Sequence, residues 1–127
     1  MIDRFDLIIE APEVTPATLF SPAVSETTAV IARRVEAARA YAGLRPQQAA
    51  DCAKARLQPD QLAEVMICDD DATLLLQTAI EQSRLSARAY HKVQRVARSI
   101  ADLKAEPTIS RATIAEALAY RAMPLLA

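Results

Sequence analysis

The residues of this 127-residue sequence best suited to chemistry are basic ones in a row. Arg84, Arg88, Lys92, Arg95 and Arg98 recur at spacings of three and four, with no Asp or Glu between Glu81 and Asp102. Such a series suits phosphate recognition, because a guanidinium presents a planar fork to an oxyanion and several cations together follow a polyanionic backbone. Lys92, Arg95 and Arg98 are therefore the candidate nucleic-acid contacts, and a solvated helix face is their plainer reading. Arg88 is a special case. With Ser86 as N-cap it falls in a first helical turn, where the macrodipole is positive and a cation is disfavoured by roughly 0.3–1 kcal/mol. An anion there is held by first-turn amides and arginine together. On position alone, a solvated arginine of good helix propensity is the simpler account.

Other chemistry is thinly represented. No GxxxxGK[ST] phosphate loop occurs, and the single glycine could not build one, so these residues hydrolyse no ATP unaided. His91 sits mid-helix beside Lys92, and Ser86, Ser99 and Ser110 are explained by caps or helix surface, which leaves no nucleophile with a base and an orienting group. Cys52 and Cys68 lack CxxC spacing and only one histidine accompanies them, so no metal site is expected. Asp69, Asp70 and Asp71 suit a helix start better than a cation cluster.

The basic run needs a helix to carry it. Residues 85–103 begin at Ser86, with Leu85 placed to staple against Tyr90, and Ala89, Val93, Val96, Ile100 and Leu103 make one apolar stripe. A second long helix is expected over 26–41, with Val30, Ile31, Val35, Ala38 and Tyr41 inward and Gly43 as C-cap. Shorter helices follow from Thr15–Pro16, with Pro22 as a break, and from Pro59–Asp60, with Cys68 closing the segment. Another covers 73–83, burying Leu74, Leu75, Leu76, Ala79 and Ile80. The last starts at Ser110 and stops at Pro124. Residues 44–58 read as a loop or a marginal helix. Residues 2–11 read as one short strand with no second strand to pair with, left to disorder, to pack on the helices, or to pair with a copy of itself.

The sum is a mainly α chain, a small bundle of four to five helices with a short orphan N-terminal strand. Hydrophobic residues reach 52% but aromatics only 4%, so small side chains and close helix packing should dominate its core. A net charge of −1 gives no global pull on nucleic acid, so any such contact must be local. No signal peptide or membrane span is apparent, which points to a cytoplasmic protein with reduced thiols.

Particular stretches resemble a known family. SARAYHKVQRVARSIADL at 86–103, IAEALAYR at 114–121, ETTAVIARRVEAAR at 26–39 and DRFDLIIEAP at 3–12 are similar to the C-terminal helical lid of magnesium-chelatase-like AAA+ ATPases, in the ComM (YifB) group. The resemblance implies an AAA+ lid-type bundle over 25–124, with 1–24 as a linker and strand remnant of an ATPase core that lies upstream. Arg88 in SAR matches the sensor-2 arginine, which reaches from the lid to the nucleotide γ-phosphate. Arg4 in DRFD matches the arginine-finger position, which acts in trans on a neighbouring subunit's nucleotide. ATP and Mg²⁺ would serve the complete enzyme, whose partners would be that core, neighbouring subunits in a homo-oligomeric ring, and DNA.

The resemblance thus implies a ring-forming DNA branch-migration motor of natural transformation, with no catalysis by this chain alone. One alternative is the lid of a magnesium chelatase motor subunit. The other is a stand-alone helical module that binds nucleic acid or protein through the basic face from Arg84 to Arg98.

Overall fold

Side chains that accept hydrogen bonds from first-turn amides mark most of the helix starts. The structure, a computed structural model, describes residues 4–21, 25–46 and 57–121. Among them lie α1 (Pro16–Leu19), α2 (Thr28–Gly43), α3 (Pro59–Val65), α4 (Asp70–Ser83), α5 (Ala87–Leu103) and α6 (Arg111–Ala119). Thr15 accepts from the Thr18 amide at 3.2 Å, Thr27 from Val30 at 3.3 Å and Asp69 from Ala72 at 2.7 Å. Ser86 accepts from Ala89 at 3.1 Å and Ser110 from Thr113 at 3.3 Å. Each such cap stabilises its helix by about 1 kcal/mol. At α3, Pro59 opens the helix and the Gln58 amide donates to Gln61 Oε1 at 3.0 Å. Asp69 is thereby a capping residue.

α5 is the hub, packing against α2, α3 and α6, while α4 packs on α6. The single turn α1 buries nothing, so five helices build the bundle. Its core joins Leu76, Val93, Val96, Ile100, Ile109 and Ile114 with the alanines at 72, 97, 101 and 117, whose small size lets α5 approach its neighbours closely. Each fully buried Val, Ile or Leu contributes roughly 1.5–3 kcal/mol. Ile109 also forms an isolated parallel bridge with Cys68, which ties the segment after α3 to the start of α6.

Several expectations are corrected by this packing. Leu103, at the last position of α5, and Leu74 are exposed. Val30, Ile31 and Val35 are also exposed among the described residues, and α2 is buried only at Ala42. Gly43 is not the cap: the helix runs through it to Leu44, which keeps right-handed geometry, and no glycine has positive φ among the described residues. α3 ends at Val65, ahead of Cys68. No strand forms among the described residues at the N-terminal segment, whose backbone instead meets the C-terminal end of α6, with Ile8 N–H bonded to the Tyr120 carbonyl at 2.9 Å. It packs on the helices, the second of its three expected fates. Pro22, Pro124, Cys52 and residues 47–56 lie outside the described residues.

Among the described residues, two that are not glycine have left-handed backbones. Ala105, φ 53°, closes α5 in a Schellman arrangement, with Glu106 N–H bonded to the Ala101 carbonyl at 2.9 Å and Ala105 N–H to that of Asp102 at 3.1 Å. Arg84 caps α4 at φ 47° and ψ 49° and turns the chain straight into α5. An L-residue with a Cβ is strained there and glycine is not. Arg84→Gly is expected to stabilise the chain by about 1 kcal/mol, read as a higher urea midpoint with an unchanged m-value.

Candidate functional site

Arg88 occupies the second position of α5. It is exposed, with no hydrogen bond or ion pair among the described residues. Ser86 satisfies the Ala89 amide, while the Ala87 and Arg88 amides belong to the first turn, which has no intrahelical acceptors. The geometry therefore offers an unspent guanidinium beside orphan amides at the positive end of a 17-residue helix.

Arg4 is likewise exposed and without a partner among the described residues. Its segment is tied down just beyond it. Asp6 pairs with Lys92 at 3.5 Å, and Arg121 Nη1 donates to the Phe5 carbonyl at 3.4 Å. Leu7 and Ile9 then line a cleft of about 440 Å³ with Val96, Ile100, Leu103 and Tyr120. Arg121 also lines a second cleft with Ser83 and Leu85, so the C-terminal end of α6 lies beside the link that opens α5. The segment bearing Arg4 thus meets α5 at Lys92, one helical turn, about 5.4 Å, beyond Arg88, and runs on along the C-terminal half of that helix.

The basic face anticipated over Lys92, Arg95 and Arg98 does not exist as a solvent-facing surface. The Lys92 side chain is 9% exposed against Asp6, and that of Arg98 is 1% exposed. Arg98 donates to Asp102 Oδ1 at 3.1 Å, to the Val65 carbonyl at 3.2 Å, to the Pro107 carbonyl at 3.1 Å and to the Glu106 carbonyl. Arg45, from the end of α2, closes on the same carboxylate with two bonds of 2.8 and 2.7 Å. Arg95 is half-buried, giving Nη2 to the Leu57 carbonyl at 3.3 Å, and its Nε is buried without a partner among the described residues. These cations are drawn inward because backbone carbonyls and two acids offer them better partners than water does. Sequence reading missed Arg45 and Asp102, although the i,i+4 spacing of Arg98 and Asp102 was a visible signal.

Remaining polar groups serve packing. Burial, reinforced by the neighbouring Asp69 charge and opposed by Arg98, pushes the Cys68 thiol up and makes it a poor nucleophile at neutral pH. The hydrogen bond to Glu116 at 3.1 Å raises the Tyr120 phenol. His91 Nδ1 meets Gln94 Oε1 at 3.2 Å, and Gln94 donates its amide to the Tyr90 hydroxyl at 2.9 Å, so the lone histidine belongs to a part-buried network within α5. No described helix is long and apolar enough to cross a membrane.

Comparison with known proteins decides what bundle this is. The family described as magnesium chelatase, subunit ChlI C-terminal, matches residues 25–121. The chain belongs to that family. The ChlI C-terminal match spans α2 to α6 and includes Arg88, while Arg4 precedes it. The competence protein ComM of Haemophilus influenzae is 34% identical over 123 residues, covering 96% of this chain and 23% of that protein. YifB of Salmonella typhimurium is 32% identical over 126 residues, covering 98% of this chain and 24% of that protein. YifB of Escherichia coli is 31% identical with the same coverage. The chain spans about a quarter of the length of these curated relatives. Within the ChlI C-terminal family it is a C-terminal domain of the ComM/YifB group.

Proposed function

We propose that this domain is the sensor-2 lid of a cytoplasmic, ComM-like AAA+ ATPase that assembles as a homo-oligomeric ring and drives branch migration of DNA during natural transformation. The supporting observation is the uncommitted Arg88. Its neighbours Lys92, Arg95 and Arg98 are occupied within the fold, yet Arg88 stands exposed in the first turn of the hub helix. ATP with Mg²⁺ is the substrate, cradled by an upstream core. This chain supplies cations: Arg88 approaches the γ-phosphate of the nucleotide, and Arg4 reaches a nucleotide bound by a neighbouring subunit.

The division of labour follows from charge. A transferring phosphoryl group spreads negative charge over its oxygens, so a fixed guanidinium stabilises the transition state more than the ground state. Because Arg88 is carried by α5, a contact between its guanidinium and the nucleotide would also link the position of the bundle to nucleotide state. The family description supports a second reading, a lid that couples hydrolysis to metal insertion into a porphyrin. The stand-alone basic module keeps Arg84 and Arg88 of its face exposed, whereas Arg95 is half-buried and Lys92 and Arg98 are buried.

The test uses the longer protein with this domain behind its nucleotide-binding core. A four-way DNA junction is expected to raise its ATP turnover and to be resolved into exchanged duplexes in the presence of ATP. Turnover indifferent to branched DNA, with the junction left intact, contradicts the DNA-motor reading.

A further inference from the structure

Deepening the nucleotide reading of Arg4 and Arg88, and resting on it, we propose that the Asp6–Lys92 ion pair is a positioning contact that fixes the Arg4-bearing segment against α5 and holds the two arginines as one unit. Lys92 lies one turn beyond Arg88 and Asp6 two residues beyond Arg4, so this ion pair links the two arginines through only a few residues on either side. The bridge is asymmetric. The Lys92 side chain is 9% exposed and that of Asp6 56%. A desolvated ammonium is costly without an anionic partner, and Asp6 is an anion that the segment brings to it.

Apolar burial alone holds this segment poorly. Phe5 is 58% exposed, Leu7 49% and Ile9 70%, so most of their surface gains nothing from docking. Polar contacts must therefore set its register: Asp6 to Lys92, the Phe5 carbonyl to Arg121, and Ile8 N–H to the Tyr120 carbonyl. Of these, the ion pair alone joins the segment to the helix that carries Arg88. The other two bonds run to Tyr120 and Arg121 at the C-terminal end of α6. A contact that places a charge for transition-state stabilisation matters out of proportion to its strength, because an error near 1 Å at a reacting group can cost on the order of 10²-fold in rate.

Two measurements test it. In this chain, amide exchange at Ile8 reports whether the segment is docked. Asp6→Asn and Lys92→Met are expected to speed that exchange several-fold, while Asp6→Glu, Lys92→Arg and the exchanged pair Asp6→Lys with Lys92→Asp restore it. The half-exposed Asp6 leaves the bundle core untouched, so its variants test the contact even where Lys92 variants fold badly. In the longer protein, Asp6→Asn should lower kcat for ATP about 10-fold, a fraction of that 10² ceiling, with KM nearly unchanged and with recovery in Asp6→Glu. Parent-like Ile8 exchange in Asp6→Asn overturns the contact. Faster exchange with parent-like kcat, in a protein that Arg4→Ala and Arg88→Ala do impair, overturns the positioning role and leaves the nucleotide reading standing. Parent-like turnover in Arg4→Ala and Arg88→Ala overturns the nucleotide reading and the positioning role with it, whatever Ile8 shows.

Discussion

Asp102→Ala is expected to lower the unfolding free energy of the chain by about 3–5 kcal/mol, measured by urea denaturation. Asp102 is the common anion of two guanidiniums, with its own side chain 0% exposed, Arg98 1% and Arg45 17%. Removing it strands a buried positive charge beside a second, half-buried one. Arg98 would still hold the Val65, Glu106 and Pro107 carbonyls, but those neutral acceptors do not cancel its charge. The cost should fall when the charge leaves as well: Arg98→Met with Asp102→Leu is expected to be more stable than Asp102→Ala, since apolar groups of similar volume replace a buried ion pair at little loss. Full recovery is not expected, because three carbonyls then lack their donor. An Asp102→Ala midpoint equal to the parent's would show that the triad carries no net charge coupling.

The triad also organises the fold. It joins the end of α2 through Arg45, the end of α3 through Val65, and the turn after α5 through Glu106 and Pro107, all on one turn of α5. The Schellman closure at Ala105 aims the Glu106 carbonyl at Arg98, so a strained backbone residue and a buried arginine support one another. A distortion here reaches α2, α3 and α6 together.

Arg4→Ala carries the largest expected effect, a loss of about 10³–10⁵-fold in ATP turnover by the assembled longer protein, the range for an arginine that completes a neighbour's phosphoryl-transfer site. Because the contact crosses a subunit boundary, the loss should be complemented. Rings mixing Arg4→Ala subunits, whose cores are intact, with subunits whose cores cannot bind nucleotide should regain turnover wherever an intact core faces an intact Arg4. Failure of mixed rings to regain activity, at equal assembly, assigns Arg4 to its own subunit or to none.

Local features were legible in the sequence because they depend on neighbours three or four residues away. Thr15, Ser86 and Ser110 cap helices at the expected places, Asp69 takes its carboxylate to the Ala72 amide, and the stripe Ala89, Val93, Val96 and Ile100 is buried. What escaped depends on partners far along the chain. Arg98 reads as one more surface cation until the Val65 carbonyl, thirty-three residues earlier, and Arg45, fifty-seven residues before Asp102, are brought to it. The α2 stripe of Val30, Ile31 and Val35 has helical spacing, but spacing fixes only which residues share a face, and no described element covers that face. The site divides in the same way. Arg88 could be placed from its cap alone, whereas the tie between its helix and the Arg4 segment through Lys92 and Asp6 required the folded chain.

The most direct test of the account is the ATP turnover of the longer protein with Arg88→Ala, measured beside its thermal midpoint. Arg88 is exposed and bonded to nothing among the described residues, so the substitution should leave the midpoint unchanged. Loss of one charged donor to the transferring phosphoryl group should lower turnover by about 10²–10³-fold. Parent-like turnover in a normally folded Arg88→Ala protein would contradict the account, because the cation that the fold leaves unspent at the start of the hub helix would then have no part in nucleotide chemistry.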